Sequence, residues 1–303
     1  MSAAPAVSVI LPTHNRARTL DRAIDGVLTQ GWRDLELIVV DDASSDDTAQ
    51  RMAARRDPRL RYLRLEQNVG PAAARNRAVA IARGEWLAFQ DSDDEWFAGK
   101  LESQLQLARD LPPDYAVIGS TLLRVGNGDR VERVRWPLRA GSTHDVDVPA
   151  FLASAMAYLQ SMLIRRSAFD AIGGFDETLP VRSDIELCLR LLPGQRFAAV
   201  DLPLALSWET PGGVSLQHDR RLRCTERIIE RHQALLAAHP DALAQWWYGQ
   251  GYHELLMSRG GAARRALHDS LRNQPAALRS WLLLGLTLLP SAAFRFLRNC
   301  RRR

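Results

Sequence analysis

GEWLAFQDSDDEW, residues 84–96, decides how the chain is read. Trp86 to Phe89 is a short apolar run opened by a glycine, the length of a strand buried on both faces. After Gln90 it gives way to Asp91-Ser92-Asp93-Asp94. Open α/β sheets bind their ligands outside the carboxyl ends of the strands, so a strand ending in carboxylates is a candidate site. In an extended segment residues i and i+2 face the same side, and the Asp91 and Asp93 carboxylates can approach one cation. A hard divalent ion, Mg²⁺ or Mn²⁺, suits oxygen ligands and keeps positions open for phosphate oxygens.

The same pattern precedes this stretch three times. Val7 to Leu11 reads as a buried strand closed by Pro12, followed by Thr13-His14-Asn15-Arg16. Thr19 is expected to cap a helix to about Thr29, with Leu20, Ala23, Ile24, Val27 and Leu28 on one face. Leu35 to Val40 is a second strand, ending at Asp41-Asp42-Ala43-Ser44-Ser45-Asp46, and Asp46-Asp47 begins a helix to about Arg56. Arg61 to Leu65 is a third strand, followed by Asn68-Val69-Gly70 and a helix from Pro71 to Ala82. This β-α-β-α-β-α-β order predicts an α/β fold with a mainly parallel sheet covered by helices on both faces. All four strands then end in polar residues aimed at one rim. Carboxylates gathered there repel one another unless something positive binds them.

From 115 to 215 the pattern is less regular. Tyr115–Ser120 and Leu159–Ile164 read as strands, Arg166–Ile172 and Asp184–Leu192 as helices, and Val125–Gly141 as a hairpin or mobile loop. Beyond Leu216 only helical periodicity remains, over 220–239, 242–259, 262–273 and 276–289. The Gly251–Pro275 piece is similar to one tetratricopeptide-type helical pair, and a single pair does not make a solenoid. The expected organisation is therefore an α/β domain over 1–215 and a helical region over 216–303 with a basic tail.

Composition bounds the function. The 303 residues are 46% hydrophobic and 25% charged, ordinary globular values that exclude fibrous and disordered classes. Cys188, Cys224 and Cys300 form no CxxC pair, so neither a disulfide framework nor a thiolate zinc site is expected. Lys100 is the only lysine, which argues against Schiff-base or P-loop lysine chemistry. No apolar run is long enough to span a bilayer, and the first residues lack a secretory signal pattern, so a cytoplasmic location is expected. The net charge of +5 divides unevenly: residues 216–303 hold 15 arginines and 6 acids, leaving 1–215 net acidic. That partition points away from nucleic acid. It suggests a cation-seeking α/β domain and a tail in which Trp281–Leu289, Phe294, Phe296 and Leu297 alternate with arginines, the makeup of an anchor at the inner face of an anionic membrane.

The chain resembles the family 2 glycosyltransferases, which have a GT-A nucleotide-sugar fold. The pieces that carry the resemblance are VSVILPTHNR (7–16), LELIVVDDASSDDT (35–48), QNVGPAAARNRA (67–78), GEWLAFQDSDDEW (84–96), GGFDE (173–177) and SDIELCLRLL (183–192). It implies inverting transfer of a sugar from a nucleoside diphosphate to a glycan or lipid-linked acceptor, in surface polysaccharide or glycolipid assembly. It further implies that Thr13, Arg16 and Asp42 line the nucleotide pocket and that Arg75 approaches the nucleotide or its phosphates. Asp91, Ser92 and Asp93 correspond to the metal and diphosphate motif, with Asp93 and Asp91 holding Mg²⁺ or Mn²⁺ and Asp94 behind them. Asp184 resembles the family's base, in a pattern where Ser183 replaces the usual Glu; Glu186 is a fallback. Ser207–Ser215 resembles the acceptor-side loop, with Trp208 able to stack on a sugar and His218 a loosely placed further metal contact. The alternative is a nucleotide-sugar-binding scaffold without turnover. Receiver, haloacid-dehalogenase and dehydrogenase readings fail on motif order: a dehydrogenase needs GxGxxG after the first strand, and Pro12–Arg16 holds no glycine.

Overall fold

The computed structural model describes residues 4–126, 130–209 and 217–288. It divides into two compact units, Met1–Asp147 with Ala157–Gly213, and Val148–Met156 with Val214–Arg303.

The first unit begins β1 (Val7–Thr13), α1 (Ala17–Leu28), β2 (Leu35–Asp41), α2 (Thr48–Ala54), β3 (Leu60–Arg64), α3 (Pro71–Ile81) and β4 (Trp86–Phe89). β5 (Glu95–Trp96), α4 (Lys100–Asp110), β6 (Tyr115–Val125) and β7 (Val131–Val134) follow. After α5 (Val148–Ser154), which belongs to the helical unit, come a 3₁₀ turn at Leu159–Ser161, β8 (Leu163–Arg165), α6 (Arg166–Ala171), α7 (Ser183–Leu191) and β9 (Arg196–Trp208). The sheet order is β3-β2-β1-β4-β8-β6-β9-β5, with β7 beside β6. The β3-β2-β1-β4 portion is parallel; β8 runs antiparallel to both β4 and β6. Strand order reverses at β1, with β2 on one side and β4 on the other, so the crevice for a ligand opens at the carboxyl ends of β1 and β4.

Two local expectations change. Pro12 does not close β1, which continues to Thr13 and pairs it with Asp41. The Ile10 carbonyl accepts from Gln90 N, so Ile10 and Pro12 face the β4 side, and β4 has already ended. No neighbour there needs the N–H that proline lacks. Thr19 does not cap α1 either. Asp46 Oδ2 accepts from Ala17 N at 2.9 Å, while Asp46 Oδ1 accepts from the Thr48 amide and hydroxyl. One carboxylate thus satisfies orphan donors at the starts of α1 and α2, which moves α2's start from Asp46 to Thr48.

The glycine opening the 84–96 stretch is required by packing. A Cβ on Gly84 would lie 2.4 Å from the Ser8 backbone nitrogen. Beside it, the buried Glu36 carboxylate accepts from Ser8 Oγ, Arg83 N and the Arg61 and Arg83 guanidinium groups. Burial alone would raise this carboxyl, but those hydrogen bonds hold it below its ordinary value.

The sequence reading assigns nothing to α4 and gives no strand to 196–208. The 125–141 stretch does form a hairpin, β6 with β7, and 127–129 lie outside the described residues. Of Leu159–Ile164 only Leu163 and Ile164 are strand, the first three residues forming the 3₁₀ turn.

Lys100 is fully buried at the start of α4. Its ammonium lies 4.2 Å from the Trp96 ring centroid and donates to Gln104 Oε1 at 2.6 Å. Burial pushes its pKa down to about 7. The unfolded chain therefore binds more protons than the fold between pH 7 and the ordinary lysine range, and stability rises with pH there, by at most about 1.4 kcal/mol per pH unit. Urea unfolding at pH 7 and 9.5 should show this gain in the wild type and lose it in Lys100→Met. Equal slopes in the two proteins would refute it.

The helical unit contains α5, α8 (His218–Arg231), α9 (Gln233–Ala237), α10 (Pro240–Leu256), α11 (Gly260–Asn273) and α12 (Leu278–Leu286). The helix expected over 220–239 is broken between α8 and α9. α10 and α11 approach closely because Gly251 carries no side chain; a Cβ there would lie 2.7 Å from Leu267 Cγ. Buried Trp246 donates to the Leu152 carbonyl at 2.8 Å and draws α5 into the unit. No helix among the described residues is long and apolar enough to cross a membrane.

Candidate active site at the strand ends

The loops after β1, β2 and β3 are joined by main-chain contacts. Asp42 N donates to the Thr13 carbonyl, and the Asp42 carboxylate accepts from Val69 N at 2.7 Å and Gly70 N at 2.9 Å. The His14 Nδ1 donates to the Asp42 carbonyl at 2.7 Å, since an oxygen acceptor fixes the proton on that nitrogen. Asn15, at φ 53°, accepts from Ser45 N and donates its own N–H to Ser44 Oγ. Asp41 turns inward, accepting from Ser44 N and the Tyr62 hydroxyl. Asp42 therefore ties the three loops of the cradle together. Inside it, Thr13 Oγ1 is buried with no hydrogen-bond partner, a donor and acceptor available to a ligand.

The acidic loop after β4 meets arginines from two helices. Arg75, on α3, is almost fully buried and donates to Asp91 Oδ1 at 2.6 Å; its Nε is buried and unpartnered. The Arg75 guanidinium lies 5.9 Å from the Phe175 ring centroid. Asn76 grips Phe175 reciprocally, accepting its N–H and donating to its carbonyl, both at 2.9 Å. The Phe175 ring packs edge-on against Phe89, the last residue of β4, at 5.3 Å. Gly174 takes a φ of +75° to make this turn, and a Cβ there would lie 2.8 Å from Asn76 Oδ1. The GGF segment thus supports the arginine that holds Asp91.

Arg16 Nε lies 3.7 Å from an Asp93 carboxylate oxygen, and Arg22 donates to the Asp93 carbonyl at 3.0 Å. Ser92 is buried between the two acids. Asp94 turns away from the rim: its carboxylate is buried and accepts from Gln160 Nε2 at 2.6 Å and Trp208 N at 3.0 Å. Burial first, and then the charges of Asp91 and Asp93, raise its pKa well above the usual carboxylate range. Asp94 therefore joins the acidic loop to the 3₁₀ turn and the end of β9. The Trp208 ring lies beneath the Arg22 guanidinium at 5.4 Å and donates its N–H to Glu95 at 3.2 Å.

Asp184 sits half-buried in the first turn of α7, accepting from Ile185 N at 2.8 Å. It lies within electrostatic reach of Tyr158, whose hydroxyl is held above its ordinary value first by burial, with the Asp184 charge adding to it. Tyr158 immediately precedes the turn that delivers Gln160 to Asp94. Ser183 is buried at the first position of the same helix. Glu186 is excluded as a base: fully buried, it is bound by the Arg190 guanidinium at 2.7–3.0 Å, which also donates to the Ile172 carbonyl. His218 belongs to the helical unit, its Nδ1 3.1 Å from that of His253. The expected acceptor-side loop lies, from 210 to 216, outside the described residues.

Among the described residues no group of three or more His, Cys, Asp or Glu side chains is arranged to hold a metal. The Asp91 and Asp93 carboxylates, flanked by Arg75 and Arg16, supply hard oxygen donors that fit a cation completed by phosphate oxygens of a ligand. Sequence reasoning missed Arg22, Asn76 and Gln160. Asn76 lies inside a quoted motif, whereas nothing around Arg22 or Gln160 marks either.

The description "Glycosyl transferase family 2" matches residues 8–173, more than half of the chain and the whole of this strand-end cradle. The chain belongs to that family. The transferase is 30% identical over 250 residues to the succinoglycan biosynthesis protein ExoO of Rhizobium meliloti (strain 1021), covering 80% of this chain and 71% of that one. Over 101 residues it is 43% identical to the UDP-Glc:alpha-D-GlcNAc-diphosphoundecaprenol beta-1,3-glucosyltransferase WfgD of Escherichia coli, covering 33% of this chain and 40% of WfgD. S. aureus TarS, solved in complex with UDP-GlcNAc, superposes with a TM-score of 0.64 at 19% identity, covering 88% of each chain. That likeness establishes the GT-A fold of the transferase.

Proposed function

We propose that the transferase moves a sugar, with inversion, from a nucleoside-diphosphate donor to a hydroxyl of a glycan or lipid-linked acceptor at the inner face of a membrane. One observation carries the reading: Asp91 and Asp93, each faced by an arginine, follow β4 beside β1, whose last residue carries the unpartnered Thr13 Oγ1, and Arg75, which holds Asp91, keeps its Nε unpartnered. A cluster of anions, cations and unused donors suits a diphosphate with its counter-ion. Biosynthetic relatives of surface polysaccharide, one named for a diphosphoundecaprenol acceptor, support the acceptor class.

In this reading Thr13 and Asp42 position the nucleoside, and Arg16 and Arg75 bind the phosphates. Asp91 and Asp93 would hold Mg²⁺ or Mn²⁺, which when bound neutralises charge on the leaving diphosphate. Asp184 Oδ accepts the proton of the acceptor hydroxyl as it attacks the face opposite the leaving group; a carboxylate serves because that proton becomes acidic in the transition state. Burial of Asp94 and its hydrogen bonds to Gln160 and Trp208 keep the acidic loop fixed while this happens.

A thermal-shift panel of nucleoside diphosphates with Mn²⁺, followed by diphosphate-release assays with the matching sugars, tests the proposal. The right nucleotide at about 100 times its Kd should add about 2.7 kcal/mol of stability. Absence of any nucleotide response would overturn it. Tight nucleotide binding with no release from any donor would replace it by the scaffold reading.

A further inference from the structure

We propose that Arg22, Glu95 and Trp208 form a clasp that sets the position of Asp93 for a cation, with Arg22 as the positioning residue. This role deepens the reading of Asp91 and Asp93 as cation ligands and rests on it.

The acids of the loop after β4 are held in different ways. Asp91 is gripped by the almost fully buried Arg75, and Asp94 by the buried Gln160. Asp93 is met by two partly exposed arginines from the same helix region. Arg16, which precedes α1, lies 3.7 Å from its carboxylate; Arg22, inside α1, donates to its carbonyl at 3.0 Å. A bond to the carbonyl fixes the peptide of Asp93 without engaging its carboxylate.

Two further contacts aim Arg22. Its Nε faces Glu95 Oε1 at 3.1 Å, and that same oxygen accepts the Trp208 indole N–H at 3.2 Å. The Trp208 ring lies under the guanidinium at 5.4 Å. The pairing of β5 with β9 brings these groups together. Glu95 stands opposite Leu206, and Trp208, two residues further on, shares that face of the sheet. Trp208 is tied to the acidic loop a second time through its backbone N–H, which donates to Asp94 Oδ1 at 3.0 Å.

Energetics separate positioning from stability. The Arg22 and Glu95 side chains are 43% and 29% exposed; water screens such a pair, and ordering two long side chains offsets much of what remains. A cation–π contact at a partly exposed ring is similarly weak. What these contacts supply is direction. The guanidinium is a planar fork, so fixing Nε on Glu95 and one face on Trp208 leaves a terminal nitrogen pointed at the Asp93 carbonyl.

The test is Mn²⁺ binding by the full chain, read by electron paramagnetic resonance with Mn²⁺ alone and with UDP or GDP. Arg22→Met is expected to weaken binding about tenfold, the lower end of the range for losing a partner behind a metal ligand. Arg22→Lys, which keeps the charge but not the fork, should recover little of that loss. Trp208→Leu should weaken binding through Arg22, so the double variant with Arg22→Met should bind no more weakly than the weaker single variant. Urea unfolding midpoints are expected to stay near the wild-type value, whereas a merely structural role would lower them and leave the Mn²⁺ affinity of the folded protein unchanged. Wild-type affinity in Arg22→Met, or additive losses in the double variant, would overturn the clasp alone. Absence of Mn²⁺ binding by the wild type, with and without nucleotide, would overturn the cation reading and the clasp with it.

Discussion

Asp184→Asn is expected to slow sugar transfer by about 10²–10⁴-fold, the range for loss of a positioned general base, while nucleoside diphosphate binding stays unchanged. The substitution keeps the side chain's shape, and an amide oxygen can still accept from Ile185 N, so α7 retains its first turn. What it removes is the negative charge near the helix start, worth about 0.3–1 kcal/mol of stability, and the ability to take a proton. Single-turnover transfer and nucleotide titration, measured on the same preparation, separate the two effects. Activity within tenfold of the wild type would remove Asp184 from the mechanism. A parallel loss of nucleotide binding would place it on the donor side instead.

The second large effect is expected at Arg75. Arg75→Met removes a buried charge-assisted bond to Asp91 and the unused Nε donor beside it. With such bonds contributing about 1.5–3 kcal/mol each, nucleoside diphosphate affinity should fall at least tenfold and transfer with it. Arg75→Lys is the informative companion. A lysine can pair with Asp91 as a point charge but lacks the planar guanidinium fork and its Nε donor, so stability should recover while nucleotide affinity stays low. Full recovery of affinity in the lysine variant would mean that Arg75 serves Asp91 and never meets the donor. Phe175, gripped by Asn76 and lying beneath the guanidinium, gives a weaker version of the same phenotype when shortened to leucine, because the arginine loses a wall rather than its charge.

The parallel half of the sheet was legible because β1, β2 and β4 are buried on both faces, leaving runs such as Leu37–Val40 and Trp86–Phe89 with no polar interruption, while β3 is only partly buried. The polar residues after them were equally plain, since turn formers alone do not require so many carboxylates. β9 was not legible: Asp201 and Pro203 interrupt it at an irregular stretch of its pairing with β6, so it shows neither alternation nor an apolar run. Helix starts were misplaced where the cap came from a distant loop, as Asp46 does for α1. The division of labour within Asp91-Ser92-Asp93-Asp94 was also hidden. Only the fold shows that Asp94 is withdrawn towards Gln160 and Trp208, because its partners lie 66 and 114 residues away.

Lys100 gives the transferase a reporter of its own opening. It is the only lysine among 303 residues, and in the fold no part of it reaches solvent. An amine-reactive reagent can modify that side chain only when the layer formed by Trp96, α4 and β6 parts. The rate of acylation at Lys100, read by mass spectrometry against reagent concentration, therefore measures the frequency of that opening under native conditions. Comparing the rate with and without nucleotide would reveal whether a ligand bound at the strand ends quietens this layer, which Glu95 and Trp96 join to the acidic loop.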